Sequence, residues 1–437
     1  MIKRFNTFWN KLKDNVFYKN IAVVASGNIT VKLIGVFLTP IITRLYTPVD
    51  YGVFNVFMSI VGITGSIATL RYAITIPIAK NEKVADNILK LCFFITFLLS
   101  LFWVFFIAIF GNKISYYYEI PQLNTYIWLI PIVFLGKGFY EALNNWAIRF
   151  KKFKLITRTK VSQSVSSSIL KIGLGLLSIK PLGLFIGHIA QEAAGISSLL
   201  SSLLKSKPNF FRSFSWIEIK QVAIRYKSFP LIQSWSQLLL ATGGQLPVLL
   251  LGLFYNAEVV GVFGLAKGII HLPMDLIGQA VAQVYYAEIS KIGKRNPDKI
   301  YKLSVSLIKK LFLIGLIPVA FLMVFGPWIF EFVFGEEWRD AGIYGRYLSI
   351  YVLMAFISAP IANVFNVYER MDLQLKLNII RVVYVATIFI VCHFINLTAK
   401  QTIFVFSIGM VFYFGYLTQS ILRLVKMNRT EGNELYK

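Results

Sequence analysis

Long apolar stretches alternate along this chain with short polar breaks. Each stretch runs about twenty residues or more, the length that carries a helix across a bilayer core. The pattern predicts twelve membrane-spanning helices, near residues 21–43, 52–78, 88–110, 123–146, 157–179 and 181–204, then 229–253, 257–286, 303–327, 342–366, 375–396 and 401–422. Two further segments read as helices lying on a membrane surface. In 5–16, Phe5, Phe8, Trp9, Leu12 and Val16 share one helical face; in 214–227, Trp216, Ile219, Val222, Ala223 and Tyr226 do the same, with basic residues opposite. The second also fits a connector between two halves. The first span is longer than the apolar region of a signal peptide and no small-residue cleavage pattern follows it, so it is expected to be retained.

The polar breaks carry an orientation. Basic residues crowd alternate breaks: Lys3 to Lys19, Lys80 and Lys83, Arg149 to Lys160, Lys205 to Lys227, Lys291 to Lys302, Arg370 and Lys376, and the tail from Arg423. The intervening breaks hold only Arg44, Lys113, Lys180, Arg339 and Lys400. The basic side faces the cytoplasm, which puts both ends of the chain there. The outer breaks are short. The longest, 328–341, carries Glu331, Glu336, Glu337 and Asp340 and leaves no room for an outer catalytic domain.

Composition agrees. The 437 residues are 57% hydrophobic and 15% charged, whereas a soluble domain is about one quarter charged. The formal charge of +25 would suggest nucleic acid in a soluble protein, but here the cations sit in the loops that set topology, so no nucleic-acid partner is expected. Cys92 and Cys392 each fall inside a span and suggest neither a disulfide framework nor a metal site. No nucleophile motif, metal-ligand spacing or nucleotide-cradling glycine loop is present. The expectation is a protein that is not an enzyme, needs no cofactor, and draws on an ion gradient, the membrane potential or product removal.

A weak duplication runs through the pattern. Tyr46 followed by Gly52-Val53-Phe54 recurs, at the same internal spacing, as Tyr255 followed by Gly261-Val262-Phe263, and the same offset pairs Gly35 with Gly244. The expected architecture is all-α: residues 1–204 as one lobe with an interfacial helix and six spans, 205–228 as a cytoplasmic linker, 229–424 as a second six-span lobe, and 425–437 as a polar, unstructured tail. An even number of spans per copy makes the repeat parallel, about an axis along the membrane normal, with a central cavity between lobes as in transporters.

Ionisable residues inside a span cost about 2.5–3.5 kcal/mol each and persist where they face a cavity or a partner. Those here are Lys32, Arg71, Lys137, Glu141, Lys171, His188, Glu192, Lys267, His271, Asp275, Arg346 and Arg381. Lys137 and Glu141 stand four apart and are expected to pair. Lys267, His271, Asp275, Gln279 and Gln283 recur every fourth residue and draw one polar stripe down the eighth span, either lining a cavity or holding helices together. The fifth span is serine-rich, and Gly243-Gly244 in the seventh would allow a bend. Cations outnumber acids. The expected cavity set is Lys32, Arg71, Lys171, Lys267 and Arg381, with Asp275, His271, Glu192, Glu141 and Lys137 as further polar or ion-coupling candidates.

The first eighty residues resemble a known family. Ala25-Ser26-Gly27-Asn28, Lys32-Leu33-Ile34-Gly35, Thr39-Pro40-Ile41-Ile42-Thr43-Arg44-Leu45-Tyr46-Thr47-Pro48, Asp50-Tyr51-Gly52 and Ala68-Thr69-Leu70-Arg71-Tyr72 are similar to the N-terminal region of Wzx-type oligosaccharide flippases, members of the multidrug/oligosaccharidyl-lipid/polysaccharide exporter superfamily. Gly261-Val262-Phe263-Gly264-Leu265-Ala266 and Pro273 agree less tightly. The resemblance implies two six-helix lobes and a polyprenyl-diphosphate-linked oligosaccharide carried to the outer leaflet of a bacterial inner membrane, among membrane lipids, polymerase and assembly proteins. Lys32 resembles the basic first-helix residue of lipid II flippases, which favours an anionic substrate. A diphosphate needs compensating cations, and Arg can hold its oxygens bidentately. The alternative is an ion-coupled drug antiporter of the same fold, for which an anionic cavity would speak.

Overall fold

The computed structural model describes residues 16–434 apart from Ser213 and Arg295; the surface helix expected over 5–16, except its last position, and the final three residues of the tail lie outside the described residues. The described chain is helical, with no strand: α1 Val16–Leu45, α2 Pro48–Thr64, α3 Glu82–Tyr117, α4 Pro121–Tyr126, α5 Ile130–Arg149, α6 Phe153–Leu176, α7 Leu182–Ala193, α8 Ile196–Ser206 and α9 Trp216–Arg225. There follow α10 Ser234–Phe254, α11 Ala257–Ile292, α12 Pro297–Phe334, α13 Arg339–Ile361, α14 Val364–Val367, α15 Met371–Phe394 and α16 Ala399–Glu434. Among the described residues, 9 helical segments are long and apolar enough to cross a membrane. The other three expected spans are α1, α6 and the α7–α8 pair, where polar residues gather: Lys32, the serines and Lys171 of α6, and His188 and Glu192 of α7. α16 continues helical through Glu434, past the point where the tail was expected to lose structure.

Bare apolar side chains mark the lipid-facing sides. On α3 these include Phe97, Phe102, Phe105 and Ile109; on α12, Leu313, Ile317, Val324 and Phe332. Such a continuous apolar surface is incompatible with water, and the chain is a multi-pass membrane protein.

The second expected span is not one helix. α2 stops at Thr64; short 3-10 turns follow at Gly65–Ile67 and Tyr72–Thr75, with Leu70 and Arg71 between them at φ 45° and 61°. Left-handed backbone at such residues is strained and persists only where surroundings enforce it. Every polar backbone group at membrane depth must find a partner, and the folded chain supplies them. Leu70 N donates to Ile67 O at 2.8 Å and Tyr72 N to Thr69 O at 3.0 Å. Thr96 Oγ1 donates to Ala68 O at 3.0 Å. The Arg149 guanidinium, at the end of α5, donates through Nη1 to the carbonyls of Ile76, Pro77 and Ala79 at 3.0, 3.2 and 2.8 Å. Arg149 is thus a structural cation: Arg149→Ala is expected to cost about 2 kcal/mol or more, because an orphaned buried carbonyl costs about 1–3 kcal/mol. A lowered unfolding temperature of the purified protein, partly restored in Arg149→Lys, checks this; an unchanged temperature would refute it.

The contacts divide the chain into two compact units, Met1–Tyr46 with Phe57–Ala241 and Thr47–Val56 with Thr242–Lys437. The first is built around Trp146, Ile88, Leu89, Cys92 and Leu143, with Leu199 and Leu203 of α8 and Ile219 and Val222 of α9. The amphipathic helix α9 therefore packs as part of this unit. Glu218 meets Lys83 Nζ at 2.6 Å and accepts from Asn87 Nδ2 at 2.9 Å, while Tyr72 Oη donates to Ala223 O at 3.0 Å. The Lys83 and Asn87 contacts hold the Glu218 carboxyl below the usual glutamate range. The clamp's charge-dependent support is therefore present at neutral pH and disappears only as pH falls through that lowered value. Backbone amides of α9 are expected to exchange faster in Glu218→Gln at neutral pH, and in the unaltered protein only under strong acid; equal exchange in both proteins at neutral pH would sink this reading.

The second unit is built around Tyr285, Ile289, Ile300, Val364, Phe365, Leu377 and Ile421. It includes the start of α2 because α2 and α11 cross there at glycines. A Cβ on Gly52 would land on the Ala257 carbonyl, and a Cβ on Gly261 would land on the Pro48 carbonyl. Gly264 is covered in the same way by the Asn55 side chain. Pro48 and Ala257, Gly52 and Gly261, and Asn55 and Gly264 are equivalent positions of the duplicated motif, so the two copies cross reciprocally, each glycine admitting the other helix's backbone.

Local geometry repeats as well. Thr47 Oγ1 accepts from Asp50 N at 3.2 Å at the start of α2, and at the equivalent place Asn256 Oδ1 accepts from Val259 N at 2.9 Å. Asn81 and Asn296 cap α3 and α12 through Val84 N and Lys299 N. Left-handed residues close the helices at Lys151 and Ser178 in one half and, at the same spacing, at Glu369 and Asn396 in the other. Each is followed by an N–H reaching back five residues, as in Lys152 N to Ala147 O and Arg370 N to Phe365 O, both 2.9 Å. Tyr46 Oη donates to Lys171 O in α6 and Tyr255 Oη to Leu397 O in the turn before α16, so the end of the first helix of each half is fastened to a later part of the chain.

Candidate functional site

In the second unit, α10, α11, α13 and α15 bring together Lys267, His271, Tyr351 and Arg381. Lys267 Nζ donates to Gly244 O at 2.6 Å. That carbonyl lies in a stretch loosened by Gly243-Gly244 and by Pro247, which offers no N–H to the helix ladder. Arg381 packs along Gly243, about where a Cβ would stand 3.5 Å from its Cδ and Nε. Its guanidinium lies 5.9 Å from the Phe414 ring centroid, and its Nε is buried without a hydrogen-bond partner. His271 Nε2 and the Tyr351 hydroxyl share a hydrogen bond at 3.1 Å. Lys267 and Arg381 are near enough to act on each other and on His271. Among the described residues neither cation has a carboxylate within ion-pair distance. Like charges held close together raise the free energy of the site, and an anion lowers it. Asp275, on the same face of α11, is exposed.

The first unit holds a mixed-charge network instead. Arg71, projected from its left-handed position, lies 3.8 Å from Glu141 Oε1, and Thr69 Oγ1 donates to Oε2 at 3.3 Å. The partner in contact with Glu141 is therefore Arg71, not the Lys137 expected from the four-residue spacing: the break in the second span swings Arg71 onto α5, whereas Lys137 lies over Gly65. Lys137 acts at longer range on Glu141, Glu192 and His188. His188 Nε2 and Glu192 Oε1 are 3.8 Å apart, both largely buried. Lys171 packs against Gly187 and acts on His188. Lys32 is half-buried on α1, which packs on α6 where Gly27 meets Thr157.

Of the five cations expected to act together, Lys267 and Arg381 meet in one cluster, Arg71 has a carboxylate partner, and Lys171 stands by His188. Tyr351 and Phe414 were not legible in the sequence. The chain has 22 Tyr and 38 Phe, and nothing in their spacing marks these two. Arg149 read only as a topology charge.

Among the described residues, roughly twelve helical passages, with caps and turns that match between the two halves of the chain and with charge held within them, define a polytopic membrane protein of transporter fold. A family model described as polysaccharide biosynthesis protein matches residues 41–342, and the chain belongs to that family. Amylovoran biosynthesis protein AmsL of Erwinia amylovora is 23% identical over 277 residues, covering 61% of this chain and 67% of that protein. Among solved structures, the inward-facing conformation of a multidrug resistance MATE family transporter of the MOP superfamily has a TM-score of 0.75 at 15% identity, over 93% of this chain and 99% of that one. The lipid II flippase MurJ in its inward closed conformation has 0.73 at 13%, over 95% and 92%. An outward-facing MATE structure of the MOP superfamily has 0.58 at 16%, over 96% of each chain. These likenesses establish the fold, and the resemblance to Wzx-type flippases of the exporter superfamily is borne out.

Proposed function

We propose that this protein carries a polyprenyl-diphosphate-linked oligosaccharide from the cytoplasmic to the outer leaflet of a bacterial inner membrane, its two lobes opening alternately to either face and both chain ends cytoplasmic. The observation that carries the reading is the Lys267–Arg381 pair, half-buried and, among the described residues, without a carboxylate partner beside Gly243-Gly244. Such a site suits a diphosphate: Arg can present parallel N–H donors, Lys a compact charge, and His271 with Tyr351 further hydrogen-bonding capacity. Family membership supplies the saccharide, since its description concerns polysaccharide biosynthesis. The MATE-like fold and the carboxylates Glu141 and Glu192 favour, as second reading, an ion-coupled antiporter of small molecules.

Cells lacking the gene are expected to accumulate the lipid-linked repeat unit on the cytoplasmic leaflet and to lose surface polysaccharide, with drug susceptibility unchanged. Unaltered lipid-linked pools together with increased drug susceptibility would overturn the flippase reading in favour of the antiporter.

A further inference from the structure

Between the end of α3 and the start of α4 the chain forms a cleft of about 650 Å³, on the side the loop charges place outside. Its walls include Asn112, Ser115, Tyr116, Tyr117, Glu119 and Asn124. We propose that this cleft is a saccharide subsite that holds sugar of the exported glycan at the outer face; the proposal rests on the flippase reading above.

Three observations carry it. The Tyr116 and Tyr117 rings are 79% and 66% exposed and stand edge to face at 5.8 Å, offering two nearly perpendicular apolar walls with a hydroxyl on each. A pyranose has apolar C–H faces and a polar rim, which such amphipathic aromatic surfaces match. Ser115 lines the cleft at 7% exposure, and its Oγ has no hydrogen-bond partner. A buried hydroxyl left without a partner costs free energy that a ligand hydroxyl repays. Finally, Glu119 holds a left-handed backbone at φ 50°, closed by its N–H to Tyr116 O at 3.1 Å, and this tight turn sets it beside the tyrosines.

The chemistry selects a neutral polyol. Two amides, a serine hydroxyl and a carboxylate provide both donors and acceptors. No Lys or Arg lines the cleft, and Glu119 disfavours a phosphate, so a lipid headgroup is the wrong charge. Tyrosines commonly sit at membrane interfaces, but that habit accounts for neither the Ser115 hydroxyl nor a carboxylate within a concavity. The volume lies within the range of about 300–1,000 Å³ typical of small-molecule sites.

The test places a photoreactive benzophenone side chain at Tyr116, at Tyr117 and, as control, at Phe332, an exposed position on α12. Each labelled protein is first shown to restore surface polysaccharide in cells lacking the gene. Irradiated cells making the polymer are expected to yield glycan-stained, mass-shifted protein at Tyr116 and Tyr117 at tenfold or more the level at Phe332. Adding Asn112→Ala or Glu119→Gln should reduce the adduct severalfold. Phospholipid adducts instead, or glycan adducts equal at all three positions, in cells that export normally, overturn the subsite and leave the flippase reading standing. Normal export without the gene overturns the flippase reading itself.

Discussion

Alanine at Gly261 is expected to lower the unfolding temperature sharply and to deplete the protein from the membrane, and alanine at Gly52 to do the same. Each added Cβ would meet a backbone carbonyl, that of Pro48 or Ala257, rather than the end of a flexible side chain. A helix must move to admit it. Overpacking of this kind costs about 1–3 kcal/mol, and backbone obstruction lies at the upper end of that range. Gly268 and Gly415 are controls on the same kinds of helix, with open space where a Cβ would go. Alanine there is expected to be neutral, or to stabilise by up to about 1 kcal/mol through helix propensity. The reciprocal geometry adds a sharper expectation. One outward shift of α2 from α11 relieves both clashes, so the Gly52→Ala/Gly261→Ala protein should be little worse than the poorer single variant. Fully additive losses would show that the two glycines act at separate contacts.

Lys267→Met and Arg381→Met are each expected to reduce export tenfold or more while leaving the unfolding temperature unchanged or higher. The two charges repel each other and have no carboxylate partner among the described residues, so removing one relieves that repulsion. Deleting a group that serves only packing would instead lower stability. Lys267→Arg should retain more export than Lys267→Met, because the charge survives although the reach to Gly244 O changes. Arg71→Met gives the opposite signature. It strands the Glu141 carboxylate, whose side chain is 25% exposed, and is expected to destabilise by about 1–3 kcal/mol. Surface polysaccharide measured beside unfolding temperature separates the cases. Normal export by both Lys267→Met and Arg381→Met at normal abundance would remove this cluster from the mechanism.

The membrane spans, the all-α class and the duplication were legible along the chain because each rests on local quantities. Bilayer thickness selects runs of apolar residues whatever their neighbours, and Tyr46, Gly52, Tyr255 and Gly261 recur at one spacing. Less legible was what the duplicated glycines do. Two Gly-Val-Phe motifs read as related helix starts, but that they cross each other depends on residues far apart in sequence meeting in space.

The sequence by itself determined that the chain enters the membrane and which segments do so, because hydrophobic length and composition act on each helix independently. It also determined that cations exceed acids within those helices. Only the tertiary structure decided which charges are neutralised. The break between Thr64 and Tyr72 has no strong sequence mark beyond Gly65, yet it turns Arg71 toward Glu141 and leaves Lys137 over Gly65. Pairing requires ångström-scale approach between different helices, and Coulomb and hydrogen-bond energies depend on that distance and on exclusion of water. Spacing along one helix cannot supply either, so Lys137 looked paired, and among the five cations expected to share a cavity nothing singled out Lys267 and Arg381, on α11 and α15, as the two that meet.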